Sequence, residues 1–402
     1  MKRAFSFQFS VFSLVCLLAV SAANAQVTVV KGFQKRLVAV NGFTGGATLT
    51  EVVRNDVRLS GYLGLSKDPA AAEFVQQGNV RSDGSVECFV THVVTKKVFM
   101  SKAYPGSLNT RRLAHAISDD IVKAITGQRG VAQTRIAFIL KRGRDKELAV
   151  MDYDGANPRQ FSNDRLCAHP RWAPDGTRIV YTSYWQVFPD VLEVNLLTGH
   201  RRVIARFPGL NSGAEYSPDG LRMALTWSKD GNPELYTIGV DGSGLRRLTN
   251  TRGAESSPAW SPDGRQIAFV SDERGSPQVY VIGRDGGEPG RLTVSPSYNT
   301  EPSWSRPPAG SEMRPMIAVT SRVGGKFQIG IVETMATGQG VRPVVADEAD
   351  NEDPSWSPNG RMLVFAKTRN WRSRLYLLDV VTGEQLELPA FGEGASEPAW
   401  GP

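Results

Sequence analysis

A short sequence motif is repeated through the last two-thirds of the chain, and one position of this motif carries acidic residues, a histidine or small residues. Each stands three residues before an aromatic residue, and the set is His169, Gly213, Ser257, Glu301, Asp353 and Glu397. Three carboxylates and an imidazole brought together could bind a cation or the basic loop of a partner, because clustered like charges repel until a positive group neutralises them. The neighbouring Asn299 and Thr300 would extend such a site. The alternative is that all these side chains form a solvated loop rim.

The motifs of common catalytic sites do not occur in the sequence. The four histidines, His92, His115, His169 and His200, are isolated and lack the spacing of a zinc site. The sequence also has no G-x-S-x-G nucleophile motif, no P-loop and no dinucleotide fingerprint. We therefore predict a protein that is not an enzyme and has no metal or other cofactor. A catalytic pair of carboxylates in the repeat region is the alternative that these observations leave open.

The repeated phrase also predicts the scaffold that would position the acidic set. Copies such as SPAWSPDG at 257–264 and DPSWSPNG at 353–360 centre on aromatic residues that are 44, 44, 44, 52 and 44 residues apart. A period of this length with strand-like content is typical of β-propeller blades. We expect the aromatic residues to pack between blades. They are Trp172, Tyr216, Trp260, Trp304, Trp356 and Trp400.

Each period predicts four strands, and the two ends of the repeat region complement each other. In the copy from 257 to 293, four strand patterns are separated by turn signals. The segment from 135 supplies the second to fourth strands of a blade, and SEPAWGP at the C-terminus supplies a first strand. We predict an all-β six-bladed propeller at 131–402, closed by the C-terminal strand so that no sheet edge is exposed. The acidic set should then lie near the starts of the innermost strands, at one mouth of the central channel.

The first 25 residues have the features of a secretory signal. Lys2 and Arg3 precede an apolar run at 11–20, and Ala-Asn-Ala at 23–25 is a cleavage pattern, so the mature chain should begin at Gln26. Loss of the two basic residues lowers the formal net charge from +7 to about +5. So small an excess, spread along the chain, does not indicate a nucleic-acid partner. We expect an exported, soluble monomer.

Residues 26–130 mix helix and strand patterns and are predicted to form an α/β domain. Helices are predicted at 48–61, 69–78 and 110–127, with strands at 36–40 and a hairpin at 85–104. The last helix has an apolar i, i+4 stripe that should face the core, and Gly127 is its C-terminal signal. Cys88 and Cys167 fall in different domains, so we expect no disulfide framework, with one interdomain bridge as the alternative.

The start of the mature chain alternates polar and apolar residues, as an edge strand does. The segment is Gln26, Val27, Thr28, Val29 and Val30. At a free terminus such a strand could pair with the exposed sheet edge of a partner through main-chain hydrogen bonds. The alternative is an ordinary first strand of the α/β domain.

Taken in this order, the features resemble the TolB family of periplasmic propeller proteins in the Tol–Pal envelope system. The most specific segments are RLAHAISDDIVKAITGQRGVAQTRIAFIL at 112–140 and ELAVMDYDG at 147–155. The blade phrase that begins at 261 and YNTEPSW at 298–304 also fit the family. The resemblance covers nearly the whole mature chain.

The resemblance implies a non-enzymatic periplasmic adaptor. TolB proteins dock the peptidoglycan-associated lipoprotein Pal at a propeller mouth, and their N-terminal segment engages the inner-membrane protein TolA. The system supports outer-membrane integrity and constriction at division, and contacts with other outer-membrane proteins stay open. Carried over by motif, the Pal-facing residues would include Asn299, Thr300 and Glu301, and the TolA-facing segment would be 26–33.

The chain departs from the family pattern in two places. A histidine that some members use at the mouth aligns with Leu210, and the region after Val30 reads KGFQKRLVAV in place of a longer glycine-rich stretch. The first difference bears on the detailed Pal contact and the second on the switching of the N-terminal segment. The alternative function is a periplasmic ligand-binding or polysaccharide-processing propeller with a metal in its channel, to which His169 alone is placed to contribute an imidazole.

Overall fold

The structure is a computed structural model that describes residues 33–106, 109–185, 188–307, 314–334 and 337–402. The predicted signal at 1–25 and the segment 26–32 lie outside the described residues. The described chain forms a mixed α/β region followed by six four-stranded sheets arranged as a β-propeller. The fold class predicted from the sequence is therefore confirmed.

The N-terminal region is one five-stranded sheet with two helices packed against it and against each other. Its elements are β1 (Arg36–Thr44), α1 (Ala47–Leu59), β2 (Leu63–Leu65), β3 (Phe74–Val80), β4 (Val86–His92), β5 (Val98–Tyr104) and α2 (Thr110–Thr126). The strand order is β2-β1-β3-β4-β5, with β1 parallel to both neighbours and the last three strands antiparallel.

Helix α2 has the boundaries and the buried face that its sequence predicts. Asn109 caps its start, because the side-chain oxygen accepts the backbone N–H groups of Arg111 and Arg112. Gly127 ends it with φ 74°, a left-handed conformation that costs glycine little. The apolar stripe is buried in the domain core and comprises Leu113, Ile117, Ile121 and Ile125.

The helix predicted at 69–78 is wrong, because this segment turns and then enters the sheet as β3. Alanines at 70–72 favour a helix locally, but Phe74 pairs with Val38 of β1 and is fully buried. Gly78 fits the sheet for a steric reason, since an added Cβ would lie 2.2 Å from the carbonyl oxygen of Glu87. Sheet packing therefore outweighs the helix propensity of the alanines.

The propeller strands follow in chain order, with blades numbered from the one that begins at 135. Blade 1 holds β6 (Arg135–Arg142), β7 (Asp145–Asp152) and β8 (Arg159–Gln160), and blade 2 holds β9 (Cys167–Trp172), β10 (Arg178–Ser183), β11 (Asp190–Asn195) and β12 (Arg201–Ala205). Blade 3 holds β13 (Asn211–Tyr216), β14 (Arg222–Trp227), β15 (Glu234–Gly239) and β16 (Arg246–Arg247). Blade 4 holds β17 (Glu255–Trp260), β18 (Gln266–Ser271), β19 (Gln278–Gly283) and β20 (Gly290–Arg291).

The remaining strands complete the ring. A two-stranded ladder joins β21 (Thr293–Ser295) to β25 (Gln339–Gly340), and blade 5 holds β22 (Asn299–Trp304), β23 (Met316–Val323), β24 (Lys326–Glu333) and β26 (Arg342–Val345). Blade 6 holds β27 (Asp350–Trp356), β28 (Met362–Arg369), β29 (Arg372–Asp379) and β30 (Gln385–Glu387). The last strand, β31 (Gly394–Trp400), returns to blade 1 and pairs with β6 as its innermost strand.

The innermost strands contact one another around the ring and define two ends of the channel. In blade 6 the first residue of β27, Asp350, pairs with Thr368, which pairs with Ser373 beyond the β28–β29 turn. The turn between the second and third strands thus lies at the end where the innermost strand begins. Blades 1 and 2 repeat this register. We call this end the entry mouth and the opposite end the exit mouth.

Cys88 and Cys167 are both buried and both free. The interdomain disulfide left open by the sequence is therefore not formed. Burial raises the pKa of each thiol to about 12, so both stay protonated and unreactive at neutral pH. Within the described ranges, no helix combines the length and the apolar character needed to cross a bilayer.

Candidate functional site

The six residues that precede the blade aromatics occupy one equivalent position in the structure. Each is the third or fourth residue of its innermost strand, at a break in the pairing with the second strand. The break behaves as a β-bulge, which re-aims a side chain out of the normal alternation. All six have positive φ: His169 52°, Gly213 63°, Ser257 51°, Glu301 54°, Asp353 56° and Glu397 48°.

This backbone geometry is uncommon for residues other than glycine and costs on the order of 1 kcal/mol at each position. Five of the six positions carry a side chain despite that cost. Strain of this kind persists where the surrounding structure fixes it, and it is concentrated at functional sites. In the sequence, only Gly213 indicates this conformation, because glycine is the residue type that adopts it most readily.

The six side-chain positions converge on one narrow cavity inside the channel. It is lined by these residues together with Arg171 and Pro258, and its volume of about 10 Å³ leaves room for roughly one water molecule. The predicted convergence is therefore observed. The set lies deeper than predicted, however, because it occupies the middle of the innermost strands and not the open mouth. The bulge, which the sequence does not show, turns these side chains inward.

Two of the carboxylates in the cavity are held by the backbone of the next blade. Glu397 Oε2 accepts the N–H of His169 at 2.7 Å, and Glu301 Oε2 accepts the N–H of Asp353 at 3.0 Å. The hydroxyl of Thr320 also donates to Glu301 Oε2 at 2.5 Å. These bonds fix the carboxylates at the axis and at the same time link neighbouring blades.

Burial and neighbouring acids raise the pKa values of Asp353 and Glu352. Burial raises the pKa of Asp353 well above its usual range, and the charges of Glu301, Glu397 and Glu352 raise it further. Burial followed by the charges of Glu301, Asp350 and Glu397 raises the pKa of Glu352 to about 7. Glu352 is therefore partly protonated near neutral pH, and a positive group that entered would favour its charged form.

One arginine already lies beside this cluster. Arg171 lines the cavity, and its charge opposes the rise in the pKa of Asp353. Its Nε lies 3.6 Å from Oε2 of Glu215, in the pocket on the exit side. His169 Nδ1 is buried and has no hydrogen-bond partner among the described residues. His169 Nδ1 thus leaves hydrogen-bonding capacity unused at the cavity.

The other residues predicted at the mouth differ in their placement. Thr300 is partly buried next to Glu301. Asn299 is fully buried, accepts from Ser321 Oγ at 2.5 Å and donates to Gln278 Oε1 at 3.0 Å, so its side chain stabilises the blade and is not presented to a partner. Leu210 lies in the loop before β13, donates its N–H to Ser228 Oγ at 2.8 Å and does not line the cavity.

The blade aromatics pack between blades, as predicted. The indole N–H of Trp172 donates to Ala399 O at 2.9 Å, and that of Trp304 donates to Ala259 O at 3.0 Å. Trp260 makes the equivalent bond to Glu215 O at 3.2 Å. Five of these tryptophans also line a pocket of about 90 Å³ on the exit side of the acidic cavity. The sequence predicted the packing but not the pocket.

A second buried polar cluster joins the α/β region to blade 1. His115 Nδ1 lies 2.8 Å from Asp56 Oδ2, and the Tyr153 hydroxyl donates to Asp56 Oδ1 at 2.9 Å. Arg111 binds both Asp152, at 2.8 Å, and Asp154. Burial alone would lower the pKa of His115, but the carboxylates of Asp152 and Asp56 outweigh it and raise the pKa to about 9.

The metal-ligating potential of the described residues lies in this junction cluster. Asp56, His115 and Asp154 form the one group of three whose ligand atoms lie within 4.8 Å of one another in the part of the chain that is described. The guanidinium of Arg111 already neutralises Asp154 there. The channel carboxylates do not form such a group, so the geometry does not favour the metal-containing channel of the alternative function.

Comparison with known proteins agrees with this architecture. A family model described as the TolB beta propeller domain matches residues 122–402. The crystal structure of TolB from Acinetobacter baumannii superposes with a TM-score of 0.82 at 29% identity, covering 92% of this chain and 97% of that one. Putative TolB from Agrobacterium tumefaciens, at a TM-score of 0.52 and 22% identity over 66% of this chain and 91% of that one, supports the fold alone.

Curated relatives match over a shorter range. The Tol-Pal system protein TolB of Bordetella pertussis is 35% identical over 229 residues, which is 50% of this chain and 52% of that protein. The protein of the same name from Legionella pneumophila strain Philadelphia 1 is 31% identical over 231 residues, 50% and 54% of the two chains. The chain thus spans about half the length of the curated relatives it matches.

Proposed function

The chain belongs to the TolB β-propeller family, and on that basis we propose that it is a periplasmic adaptor of the Tol–Pal system with a binding role and no enzymatic activity. In this role it connects a peptidoglycan-associated lipoprotein with an inner-membrane partner of the TolA type. It would thereby support outer-membrane integrity and constriction at division. The relatives named as Tol-Pal system proteins and the matched TolB structure support the proposal.

The observation that carries the proposal is the acidic cavity on the propeller axis. Six blades contribute one equivalent residue each, and Glu301, Asp353 and Glu397 bring three carboxylates to the same narrow space. A Pal-like lipoprotein that inserts a basic side chain from the entry mouth would neutralise this cluster. The cavity would thereby select for partners with a basic group. A partner that inserted a neutral or acidic group would leave the clustered carboxylates of the cavity without a neutralising charge.

The proposal for the second partner rests on the N-terminal segment. The described chain begins at Phe33, whose ring lies 4.2 Å from the guanidinium carbon of Arg361 in blade 6. Arg361 also donates to Gly61 O of the α/β region at 2.9 Å. Residues 26–32 therefore precede a point anchored between the two regions. A strand of alternating residues attached there could pair with the sheet edge of a TolA-like protein.

The direct test measures binding of the unlipidated peptidoglycan-associated lipoprotein of the same organism to the mature chain. Glu301→Gln and Glu397→Gln keep an oxygen that can accept the neighbouring N–H and remove only the charge. Glu301→Lys and Glu397→Lys reverse the charge. Calorimetry should show binding weakened about tenfold or more in the lysine variants and less in the glutamine variants.

Glu288→Gln is the matched control, because Glu288 is exposed and does not line the acidic cavity. It should bind as the parent does. Glu288→Gln and the two cavity glutamine variants should melt within a few degrees of the parent, whereas the lysine variants lose the acceptor for the neighbouring N–H and should melt at a lower temperature. Lysine variants that bind the lipoprotein with parental affinity would show that the acidic cavity has no part in docking.

A further inference from the structure

A tryptophan stands almost fully exposed at the tip of the β28–β29 hairpin in blade 6. Trp371 is 92% exposed, the highest value among the exposed large apolar residues that the structure describes. It is preceded by Asn370 and flanked by Arg369 and Arg372. Burying a large indole is strongly favourable, so a tryptophan left in solvent marks a surface that another molecule can cover.

The turn holds the backbone of Trp371 at a positive φ, which tryptophan disfavours. Arg369 pairs with Arg372 across a two-residue turn, and Asn370 and Trp371 have φ values of 50° and 62°. Turns of this type favour Asn-Gly, because both central residues need positive φ. Asparagine suits the first position, whereas a bulky residue at the second is strained. Function is the usual reason for strain that packing does not require.

Strand pairing and a side-chain hydrogen bond stabilise the hairpin beneath the tip. Thr368 and Ser373 pair across the two strands, and their hydroxyls lie 2.8 Å apart within hydrogen-bonding distance. A backbone that is already ordered loses little conformational entropy when a partner covers it. The tip therefore presents the indole on a preorganised backbone, with basic residues on both sides of the turn.

The tip belongs to an arc of aromatic and basic side chains on one half of the entry mouth. The next hairpin along the ring, in blade 1, carries Arg142 and Arg144, both exposed. The hairpin after it, in blade 2, exposes Trp185 by 59% and Phe188 by 56%. This hairpin adjoins the strand that supplies His169 to the acidic cavity, because Ser183 at its base pairs with Cys167, two residues before His169.

The other half of the mouth differs. The hairpins of blades 3, 4 and 5, at 228–233, 272–277 and 323–326, present no exposed aromatic side chain among the described residues. Among the described residues, exposed aromatic side chains therefore lie on one half of the mouth, whereas exposed basic side chains such as Lys229 and Arg274 also lie on the other half. An acidic centre with an aromatic arc on one side sets the orientation of whatever covers the mouth.

We propose that Trp371 is the anchor with which the entry mouth binds its protein partner, and that the partner offers an apolar pocket bordered by carboxylates. This inference rests on the proposed docking of a lipoprotein at the same mouth. The indole enters the pocket, while Arg369 and Arg372 meet the carboxylates around it. Tryptophan and arginine are the side chains that most often dominate the affinity of protein interfaces. A lipid surface fits less well, because it could not reach the carboxylates that lie inside the channel.

The experiment compares Trp371→Gly, Trp371→Asn and the parent, all as the mature chain. Glycine and asparagine accept positive φ, so neither variant should melt at a lower temperature than the parent. Both should bind the unlipidated lipoprotein about tenfold or more weakly. The control is Leu221→Ala, which removes another exposed apolar side chain, 66% exposed, at the exit mouth and should bind as the parent does.

The outcomes separate this inference from the proposed function. If the parent binds and the Glu301 and Glu397 variants weaken binding while both Trp371 variants bind normally, the docking site stands and the anchor is overturned. If the parent does not bind the lipoprotein, the proposed function fails and the anchor fails with it. If the Trp371 variants lose adsorption to phosphatidylglycerol vesicles but not lipoprotein binding, the indole is a membrane contact and the proposal is wrong.

Discussion

The carboxylate of Glu397 accepts the backbone N–H of His169 at 2.7 Å, although the residues are 228 positions apart in the chain. Glu397 lies on β31, the strand that closes the propeller, and His169 lies on the innermost strand of blade 2. The strand that completes the ring thus also supplies one acid of the central cavity. Ring closure and site assembly depend on the same seven residues of β31.

Removal of residues 394–402 should open the ring. The deletion exposes the edge of β6 and removes Trp400, whose indole N–H donates to Thr134 Oγ1 at 2.8 Å and whose backbone N–H donates to Ser355 Oγ at 2.9 Å. We expect a loss of about 4 kcal/mol or more in the free energy of unfolding, with aggregation through the unpaired edge. Deletion of Pro402 alone is the control. A parental melting temperature in the longer truncation would contradict closure by β31.

Lipoprotein binding should weaken as the pH falls through neutrality. The pKa of Glu352 is raised to about 7 by burial and by the charges of Glu301, Asp350 and Glu397, so Glu352 gains a proton on acidification from about pH 8 to about pH 6. Protonated carboxyls no longer attract a basic partner group. Titration calorimetry across this range should show a several-fold loss of affinity in the parent. Glu352→Gln should show a smaller loss, and identical pH profiles for the two would disprove the involvement of Glu352.

Thermal stability should fall as the pH rises through about 9. The folded-state pKa of His115, about 9, exceeds the value of about 6.5 expected for unfolded histidine. The protonated histidine therefore stabilises the fold fully below about pH 6.5, and this contribution is lost as the pH rises through about 9. The contribution amounts to on the order of 3 kcal/mol and comes from the pairing of His115 with Asp56 and Asp152.

The check is a series of melting curves between about pH 6 and pH 10. His115→Gln should be less stable at low pH and show a flatter profile. His200→Gln is the control, because His200 is exposed on the β11–β12 turn. If His115→Gln and the parent lose stability in parallel, the junction cluster does not titrate as described.

Deletion of residues 26–32 should separate the two partner interactions. Phe33 is retained because its ring packs on Arg361. In a chain expressed with its own signal, the truncation should leave the melting temperature and lipoprotein binding unchanged and abolish capture of a TolA-like protein. Phe33→Ala is the companion variant, and loss of its cation–π contact should cost about 0.5–1 kcal/mol of stability. Normal capture by the truncated chain would exclude this segment as the docking strand.

Local patterning was sufficient to predict most of the elements. The alternation of QIAFVS and QVYVIG gave β18 and β19 at their observed bounds, and the stripe ending at Gly127 gave α2. It failed at 69–78, where helix-favouring alanines precede a strand whose partner, β1, is about 36 residues away at the paired Val38 and Phe74. Helix propensity depends only on residues that are close in the chain, so it cannot predict a pairing between distant strands.

The sequence by itself determined the repeat, the number of blades and which residues share a position in each blade, because a regular period carries that information directly. The tertiary structure alone decided what those positions do. The left-handed backbone that turns Glu301 and Asp353 into the channel, the pairing of His115 with Asp56 and the burial of Asn299 all depend on residues distant in sequence. So does the exposure of Trp371, since a tryptophan in a chain otherwise rich in buried aromatics gives no local sign that it faces solvent.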